Sequence, residues 1–122
     1  MSFVAAMSAI AVLVQASAPA VPQGRPGPRL VSYEEAVRCA GLTQAASELE
    51  GGESRYGRQL YDAALYWSLA AMQAATAAGR DPDLAERDQS RARIDAVRRL
   101  SAGEAQSRAL LQDCRRKAPR LG

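Results

Sequence analysis

The chain contains two cysteines, Cys39 and Cys114, and their number and spacing limit the chemistry that they can perform. Two cysteines in an exported protein most often form one disulfide. In an antiparallel bundle of four helices, the start of the first helix lies beside the end of the fourth. At a rise of about 1.5 Å per residue, the positions of Cys39 and Cys114 along the bundle axis then differ by about 5 Å. The sequence therefore predicts a Cys39–Cys114 disulfide that closes a loop of roughly 75 residues and adds about 4 kcal/mol. The alternatives are a reactive thiol pair, which lacks CxxC spacing and a histidine partner, and free buried thiols in a cytosolic protein.

The chain contains no histidine, the residue used most often as general base and as metal ligand. Ser-His-Asp and Cys-His sites are therefore excluded. Glu34 and Glu35 are adjacent carboxylates, but Glu35 fits a helix cap and Glu34 an exposed position. Asp81 and Asp83 have the spacing of a calcium loop, but Pro82 and the missing glycine disagree with that motif. We predict no catalytic site, no metal and no cofactor; a small carboxylate-dependent enzyme is an alternative.

Two groups of side chains are candidates for binding. The first is a basic cluster near the C-terminus: Arg115, Arg116, Lys117 and Arg120. Such cations can contact anionic lipid, nucleic acid or an acidic protein surface, but they also stabilise the negative end of a helix dipole. A net charge of +3 is small for a dedicated nucleic-acid binder, so nucleic acid is not an expected partner. The second group consists of aromatic residues that could line a groove, although such residues more often lie in the core: Tyr61, Tyr66 and Trp67.

The stretch from Leu60 to Gly79 contains the longest uncharged run of the chain after the N-terminus, between Asp62 and Arg80. It is rich in good helix formers and has no Pro or Gly before its last residue. Because it is apolar over most of its circumference, we predict a central helix that neighbours bury on at least two sides. A membrane span is the alternative, but the uncharged run is slightly shorter than the roughly 20 residues that a span requires.

Capping signals divide the rest of the chain into helices. We expect helices to begin at four patterns: Ser32 to Glu35, Ser54, Asp81 to Asp83, and Ser101 to Glu104. Gly51 and Gly79 are expected to end the first two helices. Gly103 could instead kink one long helix. The sequence therefore predicts an all-α, up-and-down bundle of three or four helices over residues 32–118.

Residues 1–20 contain no charged side chain and have the features of a signal peptide. The apolar stretch from Phe3 to Val14 has the length of the hydrophobic region of such a peptide, and cleavage is expected after Ala16 or Ala20. No Lys or Arg precedes this stretch, which leaves an uncleaved anchor and a buried N-terminal helix as alternatives. Residues 21–31 are rich in Pro and Gly and are predicted to be an extended linker.

These features predict an exported protein of the bacterial periplasm, or a secreted one, that binds another protein or supports the cell envelope. A bacterial origin is indicated by the abundance of Ala and by a single Lys, Lys117, among the basic residues. The alternative is an inner-membrane protein with an uncleaved N-terminal helix, whose Arg-rich end contacts lipid head groups. The sequence does not indicate an oligomeric state.

Overall fold

The computed structural model describes residues 31–119, which form four helices and contain no strand. The helices are α1 (Tyr33–Glu50), α2 (Arg55–Ala77), α3 (Pro82–Ser101) and α4 (Ala105–Lys117). This confirms the predicted all-α bundle and gives four helices rather than three. The predicted signal peptide and residues 21–30 of the predicted linker lie outside the described residues.

Three of the four predicted helix starts are confirmed by side-chain caps. In each, the side-chain oxygen accepts a hydrogen bond from a backbone amide of the first turn, at 3.1 Å for Ser32, 2.9 Å for Ser54 and 2.8 Å for Asp81. A cap of this kind contributes about 1 kcal/mol. The capping box at Ser32 is only half formed, because the Glu35 carboxylate accepts a hydrogen bond from Lys117 at 2.6 Å instead of bonding back to the cap.

The turn around Gly103 separates α3 from α4. The Gly103 amide donates to the Leu100 carbonyl at 3.0 Å and the Glu104 amide donates to the Arg99 carbonyl at 3.1 Å, which is the Schellman arrangement. Gly103 supplies the positive φ of 72° that this turn requires. The predicted break is therefore confirmed, but the predicted capping box is wrong. Ser101 is the last residue of α3, and the cap of α4 is Glu104, which makes no side-chain bond to the backbone.

The central helix is α1, and the prediction that residues 60–79 would form it is wrong. Helix α1 packs against all three other helices, whereas α2 makes few contacts with α3 and α4. The reason is residue size, because small side chains let the neighbouring backbones come close to α1. A Cβ atom on Gly41 would lie only 2.6 Å from the backbone carbon of Ala92 in α3. The small residues buried along α1 are Ala36, Ala40, Gly41, Ala45 and Ala46.

Helix α2 has one buried face and one exposed face. Leu60 and Trp67 are 0% and 1% exposed and are the two largest side chains that are fully buried in the described core. The indole Nε1 of Trp67 donates to the Cys114 carbonyl at 2.9 Å, which connects α2 to α4. The opposite side, on which Leu65 and Leu69 lie, remains exposed. The expected burial of α2 on two sides is therefore wrong, because α3 packs on α1 instead of on this face.

Among residues 31–119, none of the helices combines the length and the hydropathy needed to cross a bilayer.

Candidate functional site

The two cysteines join the first half of α1 to the end of α4. The sulfur atoms of Cys39 and Cys114 lie at disulfide-bonding distance, and the two Cα atoms are 5.4 Å apart. Both residues are 1% exposed. The predicted pairing is confirmed, and its buried position favours a structural role over exchange with a dissolved thiol.

The basic cluster near the C-terminus is largely engaged by neighbouring side chains. The Arg115 guanidinium lies over the Tyr56 ring, 4.5 Å from its centroid, in cation–π geometry. The Arg116 guanidinium lies 3.2 Å from the Asp113 carboxylate. Arg120 lies outside the described residues.

Lys117 extends this network from α4 to α1. Its ammonium group lies 2.6 Å from Glu35 and 3.2 Å from Asp113. The hydrogen bond to Glu35, followed by the one to Asp113, raises the pKa of Lys117. The bonds from Lys117 and Arg116 lower the pKa of the Asp113 carboxyl. These contacts favour a structural explanation of the cluster over a free anion-binding surface.

The three predicted groove aromatics lie in different environments. Trp67 is in the core, and Tyr66 lies half-buried against it with ring centroids 5.1 Å apart and planes at 77°. Tyr61 is 56% exposed. The structure does not bring these three rings together around one groove.

Three large apolar side chains are exposed along one side of α2. They are Tyr61, Leu65 and Leu69, with exposed fractions of 56%, 45% and 65%. We call this set the α2 stripe. Because the residues are four positions apart, they are neighbours on the helix surface. At roughly 150–250 Å² for a large side chain, their exposed area is on the order of 300 Å², which is the lower end of the range for the largest apolar patch of a monomer.

A cleft with a volume of about 540 Å³ lies between α1, α3 and α4. It forms because α4 leaves α3 at the Gly103 turn and ends against α1 and α2, where Cys114 meets Cys39 and Trp67. No residue of α2 lines it. Its apolar lining consists of Val37, Leu42, Ala92, Ala96 and Leu110.

Every acidic residue of the cleft has a partner. Asp95 and Glu104 lie 2.8 Å and 3.3 Å from the same guanidinium, that of Arg99. Glu34 lies 3.6 Å from Arg80. Asp88 accepts a hydrogen bond of 2.7 Å from the Tyr33 hydroxyl.

The Tyr33 hydroxyl is held in its protonated form. Burial, followed by the hydrogen bond to Asp88, raises the pKa of Tyr33 to about 12. The Arg80 guanidinium also lies over the Tyr33 ring, 4.3 Å from its centroid. Tyr33 is therefore a neutral hydrogen-bond donor in the lining of the cleft. Its pKa is well above the value that a general base requires at neutral pH.

Two arginines of the cleft, unlike its acidic residues, have no partner among the described residues. Arg38 of α1 and Arg91 of α3 line the cleft and are exposed. Neither forms an ion pair with any other residue in the part of the chain that the structure describes. The sequence analysis missed these two residues, because Arg38 and Arg91 lie 53 positions apart and line the same cleft only through the packing of α1 and α3.

No group of three or more cysteine and carboxylate side chains within residues 31–119 is arranged to hold a metal ion. No protein-family model matches this chain, and no curated protein or solved structure is significantly similar to it.

Proposed function

We propose that this protein is an exported, non-catalytic helical module of the bacterial envelope that binds another protein through the α2 stripe. The observation that carries the proposal is the exposure of Tyr61, Leu65 and Leu69 side by side on one helix. Contiguous exposed apolar residues on a soluble domain are characteristic of interaction surfaces. A helix with anchors four residues apart suits an apolar groove in a partner.

The rigidity of α2 supports this proposal. Its opposite face is fixed in the core by Leu60 and Trp67, so the stripe is presented without a change in backbone conformation. A preorganised surface loses less conformational entropy when it binds. The area of the stripe is well below the roughly 800 Å² that each partner buries in a stable complex of standard size. We therefore expect a weak or transient interaction, unless the partner also contacts residues around the stripe.

The disulfide supports the exported location. A pair of sulfurs at bonding distance and 1% exposure persists most readily in an oxidising compartment. Intact mass measured without a reducing agent, on protein purified from the periplasmic fraction, tests both the bond and removal of the first 16 or 20 residues. A full-length, fully reduced chain found in the cytosol would contradict this part of the proposal.

Site-specific photo-crosslinking in intact cells tests the binding surface. A photoreactive amino acid at Leu65 is expected to give a discrete crosslinked product. The same amino acid at Gln59, which is exposed on another side of α2, is the matched control and should not give that product. Equal crosslinking from both positions, or none from Leu65, would contradict the assignment of the stripe.

A second variant separates loss of binding from loss of folding. Changing Leu69 to Gln should reduce the product formed from position 65, because it removes an apolar anchor next to it. The free energy of unfolding should change by no more than about 0.5 kcal/mol, since Leu69 is 65% exposed and Gln has a similar helix propensity.

A further inference from the structure

The cleft between α1, α3 and α4 combines an apolar lining with two cations that have no described partner. Its volume of about 540 Å³ lies within the range of about 300–1,000 Å³ that is usual for small-molecule sites. Val37, Leu42 and Leu110 contribute its largest apolar side chains. An apolar ligand segment placed against them would be removed from water.

The pairing of charges around the cleft determines which ligand charge it favours. All four acidic residues are already satisfied by Arg80, Arg99 or the Tyr33 hydroxyl. Arg38 and Arg91 are therefore the two guanidinium groups of the lining that form no ion pair within the described residues, and they are available to an anionic head group. A guanidinium group binds carboxylate and phosphate with two parallel hydrogen bonds, and such bonds are about twice as strong as those between neutral groups.

We propose that this cleft binds a small anionic amphiphile, with its hydrocarbon part against the apolar lining and its carboxylate or phosphate head near Arg38 and Arg91. A neutral or cationic amphiphile would leave both guanidinium groups without an anionic partner. The site is separate from the α2 stripe, because all of its lining residues belong to α1, α3, α4 or the turn before α4.

Binding of dodecanoate to the full chain, below the critical micelle concentration, tests the site by isothermal titration calorimetry. Methyl dodecanoate keeps the hydrocarbon chain without the charge, and acetate keeps the charge without the chain. We expect dodecanoate to bind about tenfold or more tightly than either compound, because only dodecanoate uses both parts of the cleft. Dodecyl phosphate is expected to bind in the same way and compares the two head groups.

Two variants decide whether the arginines are responsible. The double change Arg38→Gln and Arg91→Gln is expected to weaken dodecanoate binding about tenfold or more, since it removes both charge-assisted contacts. Arg87→Gln is the matched control. Arg87 is exposed on α3, four positions before Arg91, and does not line the cleft. Its replacement should leave the affinity within about twofold, as expected for an exposed charge outside the site.

Methyl NMR shows where the ligand binds. The signals of Val37, Leu42 and Leu110 should shift on addition of dodecanoate, while those of Leu65 and Leu69 should not. Binding that is equally strong for the methyl ester, equally weakened by Arg87→Gln, or confined to the α2 stripe would overturn the proposal. Absence of measurable binding by a folded protein would overturn it as well.

Discussion

Removal of the Cys39–Cys114 disulfide is expected to destabilise the bundle strongly. The bond joins residues 75 positions apart, and closing a loop of that length reduces the entropy of the unfolded chain by an amount equivalent to about 4 kcal/mol. A domain of this size is stabilised by about 5–15 kcal/mol in total. The reduced protein should therefore lose a large part of its free energy of unfolding.

The structure also indicates where the loss should begin. Helix α4 has 13 residues and buries only Ser107, Leu111 and Cys114. Without the bond, α4 is held to α1 and α2 mainly by these residues, by Lys117 and by the hydrogen bond from Trp67. We expect α4 to detach in mild denaturant before the other helices unfold, as weakly packed segments do.

Urea unfolding followed by two probes tests this expectation. Trp67 is 1% exposed and donates to the Cys114 carbonyl, so its fluorescence reports the α2–α4 contact. In the reduced protein, the fluorescence transition should precede the loss of helical circular dichroism. In the oxidised protein, the two transitions should coincide.

Two forms without the bond separate the covalent link from the packing of the sulfur atoms. The reduced wild type lacks only the link, whereas the double change of Cys39 and Cys114 to Ala also removes two buried sulfurs. Both should lose about 4 kcal/mol, with a further loss in the Ala variant from the small cavities. A reduced protein that unfolds within about 1 kcal/mol of the oxidised one would refute the loop-entropy argument used for this magnitude.

Two further predictions concern the α1–α3 contact. Gly41→Ala should destabilise the protein by about 1–2 kcal/mol despite the better helix propensity of Ala, because the added Cβ would lie 2.6 Å from Ala92. Urea unfolding measures this loss. The control is Gly52→Ala, where the new Cβ meets nothing within 4 Å. Tyr33→Phe should remove part of the alkaline destabilisation, because the pKa of Tyr33 is about 12 in the folded protein and 10.0 ordinarily. In the wild type the unfolded chain loses this proton first, so stability should fall as the pH rises from 10 towards 12; a wild type and a Phe variant with the same pH dependence of the urea midpoint would contradict this.

Helix boundaries could be predicted from the sequence because they depend on nearby residues. The side chain of Ser32, Ser54 or Asp81 bonds to an amide two or three positions away, so the pattern and its partner appear together in the sequence. The predicted start of α4 at Ser101 was wrong, because the turn at Gly103 determines where α4 begins. The Gly103 turn allowed α3 to continue through Ser101 and placed the next cap at Glu104.

The central position of α1 could not be read from hydrophobic periodicity. A helix that is surrounded on several sides has buried residues around most of its circumference, and α1 buries Thr43 and Gly41 as well as Ala36 and Leu42. Small and polar residues of this kind resemble an unremarkable surface helix in sequence. Helix α2 was predicted to be central instead, because its large apolar residues are concentrated, although the side that carries Leu65 and Leu69 is exposed.

The cleft was inaccessible to sequence analysis for a different reason. Its lining comes from α1, α3 and α4, and the divergence of α3 and α4 that opens it depends on where α4 ends. Near that end, Cys114 pairs with Cys39 of α1. The disulfide could be predicted, but the space that it leaves between α3 and α4 depends on the close approach of Gly41 and Ala92, which only the packed structure shows.

The same close approach explains why this small bundle has two candidate binding surfaces. Because Gly41 allows α3 to pack directly on α1, α3 has few contacts with α2, and Leu65 and Leu69 remain uncovered. The cleft lies between α1, α3 and α4, and Ala92 of the same contact is part of its lining. A bulky residue at position 41 would therefore be expected to move α3 and to alter both surfaces together. Substitutions at Leu69 or Arg91 should affect one surface and leave the other unchanged.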